Sequence, residues 1–272
     1  MKKNILLICL IVLFLSLTSC NSNYYSYKNA EKYSVGRVSL DKSIEQIDVD
    51  WVSGKINIIR TTSDDQIYVY ETANKTLDKK EELRYYLKDG VLDIRFAEKG
   101  WQDFNNLNKE LTIALPNDFN LDSLNITTIA ADVEIGGIVC NLDIETVLGD
   151  INGQLQLCDE VDIETVSGNI ELTMSSPKEF DFSSVSGDIE VLIMDTFPAM
   201  TNWEGNIDTV SGDIKVCLNK WASFLFEIET VSGDISSDFP CIIKNNEYLY
   251  QNDDNKCDIS SVSGNIHILD IE

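Results

Sequence analysis

The fold of this chain is decided by the stretch Asp162-Ile163-Glu164-Thr165-Val166-Ser167-Gly168-Asn169-Ile170-Glu171-Leu172. The same pattern returns, with substitutions, at 48–58, 125–135, 143–153, 181–191, 206–216, 227–237 and 258–268, which makes eight copies. The copy at 125–135 carries Ala131 in place of the glycine, and the copy at 143–153 carries Leu148 in place of the serine. Internal repetition of this kind indicates a repeat architecture before any single element is assigned.

Each copy predicts a strand, a tight corner and a second strand. Apolar and polar residues alternate on both sides of the glycine, and a period of two is typical of half-buried strands. The intervening Ser-Gly-Asp/Asn favours a turn, because glycine adopts positive φ freely and Asp or Asn can bond its own backbone. The residue two positions after the glycine is predicted to point into the core. This column is Ile151, Ile170, Ile189, Ile214, Ile235 and Ile266.

The residue two positions before the glycine breaks the alternation, because it is also apolar. We predict a bend after the preceding Thr or Ser that turns this residue inward as well. The column is Val147, Val166, Val185, Val210, Val231 and Val262.

The spacing of the copies predicts the architecture. From Ala131 the glycine positions advance by 18, 19, 19, 25, 21 and 31 residues. A nearly constant step with side-loop insertions predicts an all-β, single-stranded parallel β-solenoid of roughly 19–21-residue coils, in which like residues form ladders. A series of β-hairpins giving a meander or sandwich is the alternative. The solenoid is favoured because identical columns matter most when equivalent residues stack.

The amino terminus has the features of a lipoprotein signal. Lys2 and Lys3 precede an apolar run, Ile5 to Leu17, which is short for a membrane span but suits a signal peptide. The run ends in Leu17-Thr18-Ser19-Cys20, which resembles the lipobox of bacterial lipoproteins. The resemblance implies cleavage before Cys20, lipidation of Cys20 and a membrane anchor. An ordinary cleaved signal with an incidental cysteine is the alternative.

The sequence pattern divides the chain into four regions. We predict a signal peptide at 1–19, a lipidated tether at 20–42, an irregular N-terminal β lobe or cap at 43–120 and the repetitive solenoid body at 121–272. The tyrosines of the tether could instead pack on the first strands. A cap is expected because an open solenoid end is an unpaired sheet edge.

Composition and charge limit the partners. The 46 acidic residues outnumber the 21 basic ones, and the formal net charge is −25. Phosphate backbones would be repelled, so nucleic acid is excluded as a partner. Adsorption on anionic lipid through a basic patch is excluded for the same reason, which leaves the acyl chains to hold the protein at a membrane.

The sequence contains little that predicts catalysis. His267 is the single histidine, and it occupies a strand position that other copies fill with Glu171, Glu190, Lys215 or Ser236. The repeated serines are turn residues, and nucleophile-elbow, phosphate-loop, dinucleotide and zinc motifs are absent. We therefore predict no catalytic residues, no cofactor and no metal ligands.

Acidic residues recur six and four positions before the glycines, as in Asp162 and Glu164, and a third ladder follows each glycine. Stacked carboxylates about 4.8 Å apart would repel one another by about 1 kcal/mol per pair in water. Screening by salt would relieve this repulsion. Binding of divalent cations such as Ca²⁺ is the alternative.

Five cysteines remain after Cys9 and Cys20. Export permits disulfides, and Cys241 and Cys257 bracket the longest insertion, so a bridge between them is a hypothesis. Cys140 and Cys158 are expected to be free thiols in the core.

The repeated Val-Ser-Gly-Asp/Asn-Ile units, the strand Leu111-Thr112-Ile113-Ala114-Leu115-Pro116 and the early Val52-Ser53-Gly54-Lys55-Ile56 together resemble a family of bacterial envelope lipoproteins named putative adhesins, a domain of unknown function. The resemblance spans roughly 44–272. It implies a β-solenoid and says little about activity. The anchor, the tether and the laddered surface favour a non-enzymatic, adhesin-like or scaffolding role in the cell envelope, with an envelope polysaccharide or protein as partner. The alternatives are a carbohydrate-active β-helix enzyme and an accessory protein of an envelope signalling system.

Overall fold

A computed structural model of the chain describes residues 25–62, 65–102, 107–138, 140–175, 177–194 and 202–271. Apart from one short 3-10 turn, Ala30–Lys32, every regular element in these ranges is a β-strand. The strands of the amino-terminal half are β1 (Ser34–Val35), β2 (Val38–Leu40), β3 (Gln46–Thr61), β4 (Ile67–Ala73), β5 (Arg84–Lys88), β6 (Val91–Arg95), β7 (Lys109–Pro116) and β8 (Ser123–Ile138).

The strands of the repetitive half are shorter on average and follow one another at corners. They are β9 (Asn141–Thr146), β10 (Ile151–Gln156), β11 (Glu160–Thr165), β12 (Ile170–Ser175), β13 (Glu179–Ser184), β14 (Ile189–Met194), β15 (Glu204–Ser211), β16 (Ile214–Leu218), β17 (Phe224–Ser232), β18 (Ile235–Ser237), β19 (Ile242–Lys244), β20 (Glu247–Tyr250), β21 (Asn255–Ser263) and β22 (Ile266–Asp270).

These strands form one sheet that folds over on itself, and its two layers are named here the first and second sheets. The first sheet has the order β1-β5-β6-β3-β8-β9-β11-β13-β15-β21-β17-β20-β19. The second has the order β2-β4-β7-β3-β8-β10-β12-β14-β16-β22-β18. The long strands β3 and β8 pass through both layers. Pairing within the repeats is parallel, which confirms the predicted all-β solenoid.

Register follows the sequence columns. Ile163 pairs with Ile144 on one side and with Phe182 on the other, and Ile170 pairs with Ile151 and Ile189. These side chains point between the layers and join a single hydrophobic core. Five of the six predicted inward isoleucines are buried. The sixth, Ile235, is half-buried because its coil ends the stack.

The predicted inward turn of the valine column is wrong. The residue before the valine is buried in five of the six copies, namely Thr146, Thr165, Ser184, Thr209 and Ser261, and Thr230 is half-buried. The valines that follow are half-buried at best, and Val231 is 64% exposed. The strand alternation therefore continues through the threonine. Its hydroxyl occupies the inside of the corner, where Thr146 Oγ1 accepts the N–H of Gly149.

The reason for the glycines also differs from the prediction. The corner glycines from Gly149 onward do not adopt left-handed φ. A Cβ on Gly187 would instead lie 2.0 Å from the carbonyl oxygen of Gly168, and one on Gly168 would lie 2.0 Å from that of Gly149. Coils therefore meet backbone to backbone at this corner, and any side chain would separate them.

The stacking order departs from the chain order at the carboxyl end. β21 lies between β15 and β17, and β22 lies between β16 and β18. The final repeat is thus inserted between two earlier coils. Asn255 contacts both neighbours, since its Oδ1 accepts the N–H of Trp203 at 3.1 Å and its Nδ2 donates to the carbonyl of Ser223 at 2.9 Å.

The amino-terminal strands cover the other end of the stack. β5 and β6 form the expected hairpin around Asp89-Gly90, and β7 contains the expected Leu111–Pro116 strand. Within the stretch predicted as a tether, Tyr25 and Tyr27 are buried, and Tyr25 Oη donates to the carbonyl of Asp50. These contacts correspond to the alternative in which the tyrosines pack on the first strands.

The cysteines after Cys20 are free thiols, so the hypothesis of a Cys241–Cys257 disulfide is wrong. Cys257 points into the core from β21, where it is buried. Cys241 follows β18 and lies with its Sγ 3.7 Å from the Ser237 hydroxyl. Cys140 and Cys158 are buried, as expected.

Truncation of one core isoleucine should measure how tightly the coils pack. Ile189 is fully buried, so we expect Ile189→Ala to reduce the free energy of unfolding by about 2–5 kcal/mol through lost burial and a residual cavity. The neighbouring Glu190 points outward and pairs with Lys215 at 3.1 Å, so Glu190→Ala should cost at most about 1 kcal/mol. Chemical denaturation of both variants checks this, and equal losses would contradict the inward assignment of Ile189.

Candidate functional site

The outer surface of the first sheet carries a compact group of carboxylates. Asp143 and Glu145 lie on β9, and Asp162 and Glu164 lie directly beside them on β11. We call these four residues the central acidic face. Parallel strands place such neighbours one strand spacing apart, about 4.8 Å. No described Lys or Arg nitrogen lies within ion-pair distance of the four carboxylates.

Farther along the first sheet, β15 and β21 carry amide and hydroxyl groups in the same columns. Asn206 Nδ2 donates to Asp181 at 3.0 Å and to Asp208 at 3.1 Å. The hydroxyl of Ser260 also donates to Asp208. The central acidic face has no such amide or hydroxyl among its equivalent positions on β9 and β11.

Burial and mutual repulsion raise the pKa values of this group. Burial, and then the neighbouring carboxylates Asp181 and Asp143, raise the pKa of Asp162 to about 6. Burial, and then Asp162 and Glu145, raise the pKa of Glu164 to about 7. The pKa values of Asp143 and Glu145 are raised by the same two causes. Near neutral pH this face therefore still carries exchangeable protons.

Stability should consequently fall as pH rises across this range. Because the folded-state pKa values of Asp162 and Glu164 are raised, their contribution is complete below pH 4 and is lost as pH rises through about 6 to 7. Partial exposure screens the effect, so we expect a change of about 1 kcal/mol, or about 2–4 °C in Tm. Thermal melts at pH 4 to 8 check this. The variant Asp162→Asn/Glu164→Gln should flatten the profile, and an unchanged slope in it would contradict this origin.

The third acidic ladder has a structural role. The side-chain oxygen of each residue after the glycine accepts the backbone N–H of its equivalent in the next coil. Asp150 Oδ1 accepts from Asn169 at 2.8 Å, and Asn169 Oδ1 accepts from Asp188 at 2.9 Å. The same bond links Asp188 to Asp213 and Asp213 to Asn265. These hydrogen bonds join each corner to the next, which gives the third ladder a part in holding the coils together.

No group of three or more His, Cys, Asp or Glu side chains in the described ranges is arranged to hold a metal ion. His267 lies on the outer surface of the second sheet, and its Nδ1 is 2.7 Å from the hydroxyl of Ser236. Its cross-strand neighbour on the other side is Lys215. A serine–histidine pair in hydrolases needs an acid to stabilise the imidazolium, whereas this neighbour is a cation.

The amino-terminal strands contain a buried ion pair that the sequence pattern does not predict. The ammonium of Lys109 lies 2.6 Å from Glu71 Oε2 and over the rings of Trp51 and Phe96. It also donates to the carbonyl oxygens of Glu81, at 2.7 Å, and Phe96. Burial lowers the pKa of Lys109 to about 8, with Glu71 opposing this shift. A single lysine at the start of an apolar strand does not by itself predict that its ammonium is buried, because its partners are far away in the sequence.

The predicted lipidation residue, Cys20, and the signal segment lie outside the described residues. Among the helices of the described ranges, none has the length and apolar character needed to cross a membrane. The aromatic residues of the insertions mostly pack. Trp203, Phe224 and Phe226 are fully buried, whereas Trp221 is exposed.

The sequence matches a known protein family over most of its length. The model of the Toastrack DUF4097 family matches residues 44–195 and 199–269. No curated protein matches the chain.

Solved structures of low identity are also similar. One is a putative adhesin from Bacteroides fragilis, 14% identical, covering 87% of this chain and 97% of its own, with a TM-score of 0.43. Another is a putative cell adhesion protein from Clostridium sporogenes, 16% identical, covering 88% of this chain and 100% of its own, with a TM-score of 0.39. A third is a putative adhesin from Parabacteroides merdae, 12% identical, covering 88% of this chain and 96% of its own, with a TM-score of 0.43.

Proposed function

Because the chain belongs to the Toastrack DUF4097 family, a β-solenoid family of unknown function, we propose that it is a non-enzymatic, adhesin-like binding module of the bacterial cell envelope. In this proposal the solenoid is a rigid display scaffold. Its working surface is the central acidic face, which engages amine or guanidinium groups of an envelope protein or polysaccharide.

The observation that carries the proposal is the close approach of four carboxyl groups that have no basic partner among the described residues. Adjacent coils hold Asp143, Glu145, Asp162 and Glu164 in register, and the raised pKa values of these carboxyls reflect the cost of that arrangement. Farther along the sheet, Asn206 on β15 and Ser260 on β21 donate hydrogen bonds to Asp181 and Asp208. Carboxylates kept close at a cost to the fold are typical of binding surfaces, where a cationic partner removes the repulsion.

A paired-variant experiment tests the role of this face. Asp162→Asn/Glu164→Gln removes two carboxyl groups from the face, and Glu171→Gln/Glu247→Gln removes two from exposed positions elsewhere. We expect only the first variant to lose at least tenfold in affinity for isolated cell envelopes and for an oligolysine probe at physiological salt. Equal losses in both variants would show that affinity depends only on the net charge of the protein, which would contradict the proposal. Polysaccharide turnover measured in parallel should be absent, and detectable turnover would favour the enzyme alternative.

We further propose that Cys20 carries the lipid that holds the protein at the membrane, on the outer side relative to the cytoplasm. The support is the Leu17-Thr18-Ser19-Cys20 sequence after a short apolar run. Two or more acyl chains give stable anchoring where one gives marginal binding.

Removing the thiol should release the protein. We expect Cys20→Ser to abolish lipidation, so that the chain stays unprocessed or partitions into the aqueous phase of a detergent phase separation. Labelling with a clickable palmitate analogue provides the direct measurement. Cys9→Ser, upstream in the signal segment, is the matched control and should label like the unaltered chain. Undiminished labelling of Cys20→Ser would contradict the anchor.

A further inference from the structure

A cavity of about 780 Å³ lies at the amino-terminal end of the solenoid. It opens where the chain passes from β1 in the first sheet to β2 in the second. Its lining includes Gly36, Arg37, Tyr68, Tyr70, Glu71 and Glu82. Its size falls within the range of about 300–1,000 Å³ typical of small-molecule sites.

Hydrogen bonds fix the wall of this cavity. The N–H of Leu83 donates to Glu71 Oε1 at 2.6 Å, and the carbonyl of Leu83 accepts from the N–H of Gly36 at 3.0 Å. The carbonyl of Glu81 is held by the buried ammonium of Lys109 at 2.7 Å. The backbone at Glu81 and Leu83 is therefore held by Glu71, Gly36 and Lys109. A site held open in this way avoids part of the entropy cost of ligand binding.

Two local features keep the cavity open. β2 pairs with β4 only from Ile67 to Val69, so β4 continues past the end of β2 with Tyr70 exposed. Gly36 has a φ of 82°, and a Cβ there would lie 3.3 Å from Glu82 Oε2. A larger residue at this position would be strained and would crowd the carboxylate.

The lining combines aromatic rings with hydrogen-bonding groups of both kinds. Tyr68 and Tyr70 provide aromatic surface and phenolic hydroxyls, Arg37 provides N–H donors, and Glu82 accepts hydrogen bonds. Glu71 pairs with Lys109, and Glu82 and Arg37 add one negative and one positive charge, so the lining is close to neutral. The formal net charge of −25 disfavours anionic ligands further.

These features suit a ligand that is uncharged, rich in hydroxyl groups and flat on one apolar face. We propose that this cavity is a binding site for a neutral sugar, with Tyr70 packing on the ring and Arg37 and Glu82 bonding its hydroxyls. The site uses other strands than the central acidic face, so it does not depend on the function proposed for that face.

Saturation-transfer NMR and calorimetry with maltotriose, cellotriose and triacetylchitotriose test the proposal on the soluble chain from residue 21 onward. We expect saturation transfer to at least one trisaccharide. Tyr70→Ala should weaken that binding at least tenfold, and Glu82→Gln should weaken it severalfold. Trp221→Ala, which removes the most exposed tryptophan at the opposite end, should leave it unchanged.

The proposal would be overturned by no transfer to any of the three sugars, by full binding in Tyr70→Ala, or by equal loss in Trp221→Ala. Melting curves of each variant separate loss of the site from loss of the fold. Asp162→Asn/Glu164→Gln should retain sugar binding, so failure of the acidic-face proposal and failure of this one are distinguishable. Binding of an extended peptide along Tyr70–Ala73 in place of sugar would also contradict it.

Discussion

Deletion of residues 255–272 is expected to detach the carboxyl-terminal coil rather than to shorten the solenoid by one turn. In an ordinary solenoid the last repeat in sequence is the last in space, and removing it exposes only the next coil. Here β21 and β22 lie inside the stack, between the strands of two earlier coils. Their loss leaves β17 and β18 without a parallel partner.

The expected size of the effect follows from the side chains removed. Ile259, Ile266 and Ile268 are all buried, and each contributes about 1.5–3 kcal/mol, or about 5–9 kcal/mol together. That is comparable with the whole stability of a typical domain. We expect Tm to fall by about 10 °C or more. Hydrogen exchange should show that the amides of β17 and β18 lose protection.

The control replaces the hairpin residues 242–249 by a short glycine-serine linker. Ile242 and Ile243 on this hairpin are largely exposed, and the hairpin pairs only with the edge of β17. Its removal should shift Tm by a few degrees at most. Retained protection of β17 in the 255–272 deletion would contradict the inserted position of the final repeat.

Lys109→Met is expected to reduce the free energy of unfolding by about 3–5 kcal/mol, because it leaves the carboxylate of Glu71 buried without its partner. The ammonium of Lys109 is fully buried and lies 2.6 Å from Glu71. The substitution also removes its bonds to the carbonyls of Glu81 and Phe96. Chemical denaturation measures the loss.

A double-variant cycle separates the orphaned charge from lost packing. Glu71→Gln removes the charge but keeps an oxygen that can accept the N–H of Leu83. We expect Lys109→Met/Glu71→Gln to recover at least about 1 kcal/mol of the loss, since an apolar replacement of a whole ion pair is often nearly neutral. Equal stability of the single and double variants would show that packing alone is responsible.

Some of the candidate site was accessible from the sequence. The columns at Asp162 and Glu164 follow from the alternation, and the structure brings them beside Asp143 and Glu145. The sequence also shows that Asn206 and Ser260 are neutral substitutions in those acidic columns. Their contacts were not, because a hydrogen bond between coils depends on which coils are neighbours.

The architecture and the inward isoleucines follow from the sequence alone. Alternation with a period of two fixes which residues share a face, and repeated columns fix the register once coils stack. These are local properties, so the prediction that Ile189 lies in the core needed no knowledge of distant contacts. The same alternation, followed strictly, would have placed Thr165 inside and Val166 outside the corner. The predicted bend at the valines was therefore an unnecessary departure from the local rule.

The order of the coils, the need for glycine at the corners and the buried surroundings of Lys109 depend on tertiary contacts. Every repeat presents nearly the same edges, so its pattern cannot specify which coil it joins. The 31-residue step before Gly264 gives the chain enough length to return, and Asn255 bonds to both coils that it enters between. The close approach of Gly168 and Gly187 and the burial of Lys109 likewise depend on backbone and side chains far apart in sequence, which no local pattern records.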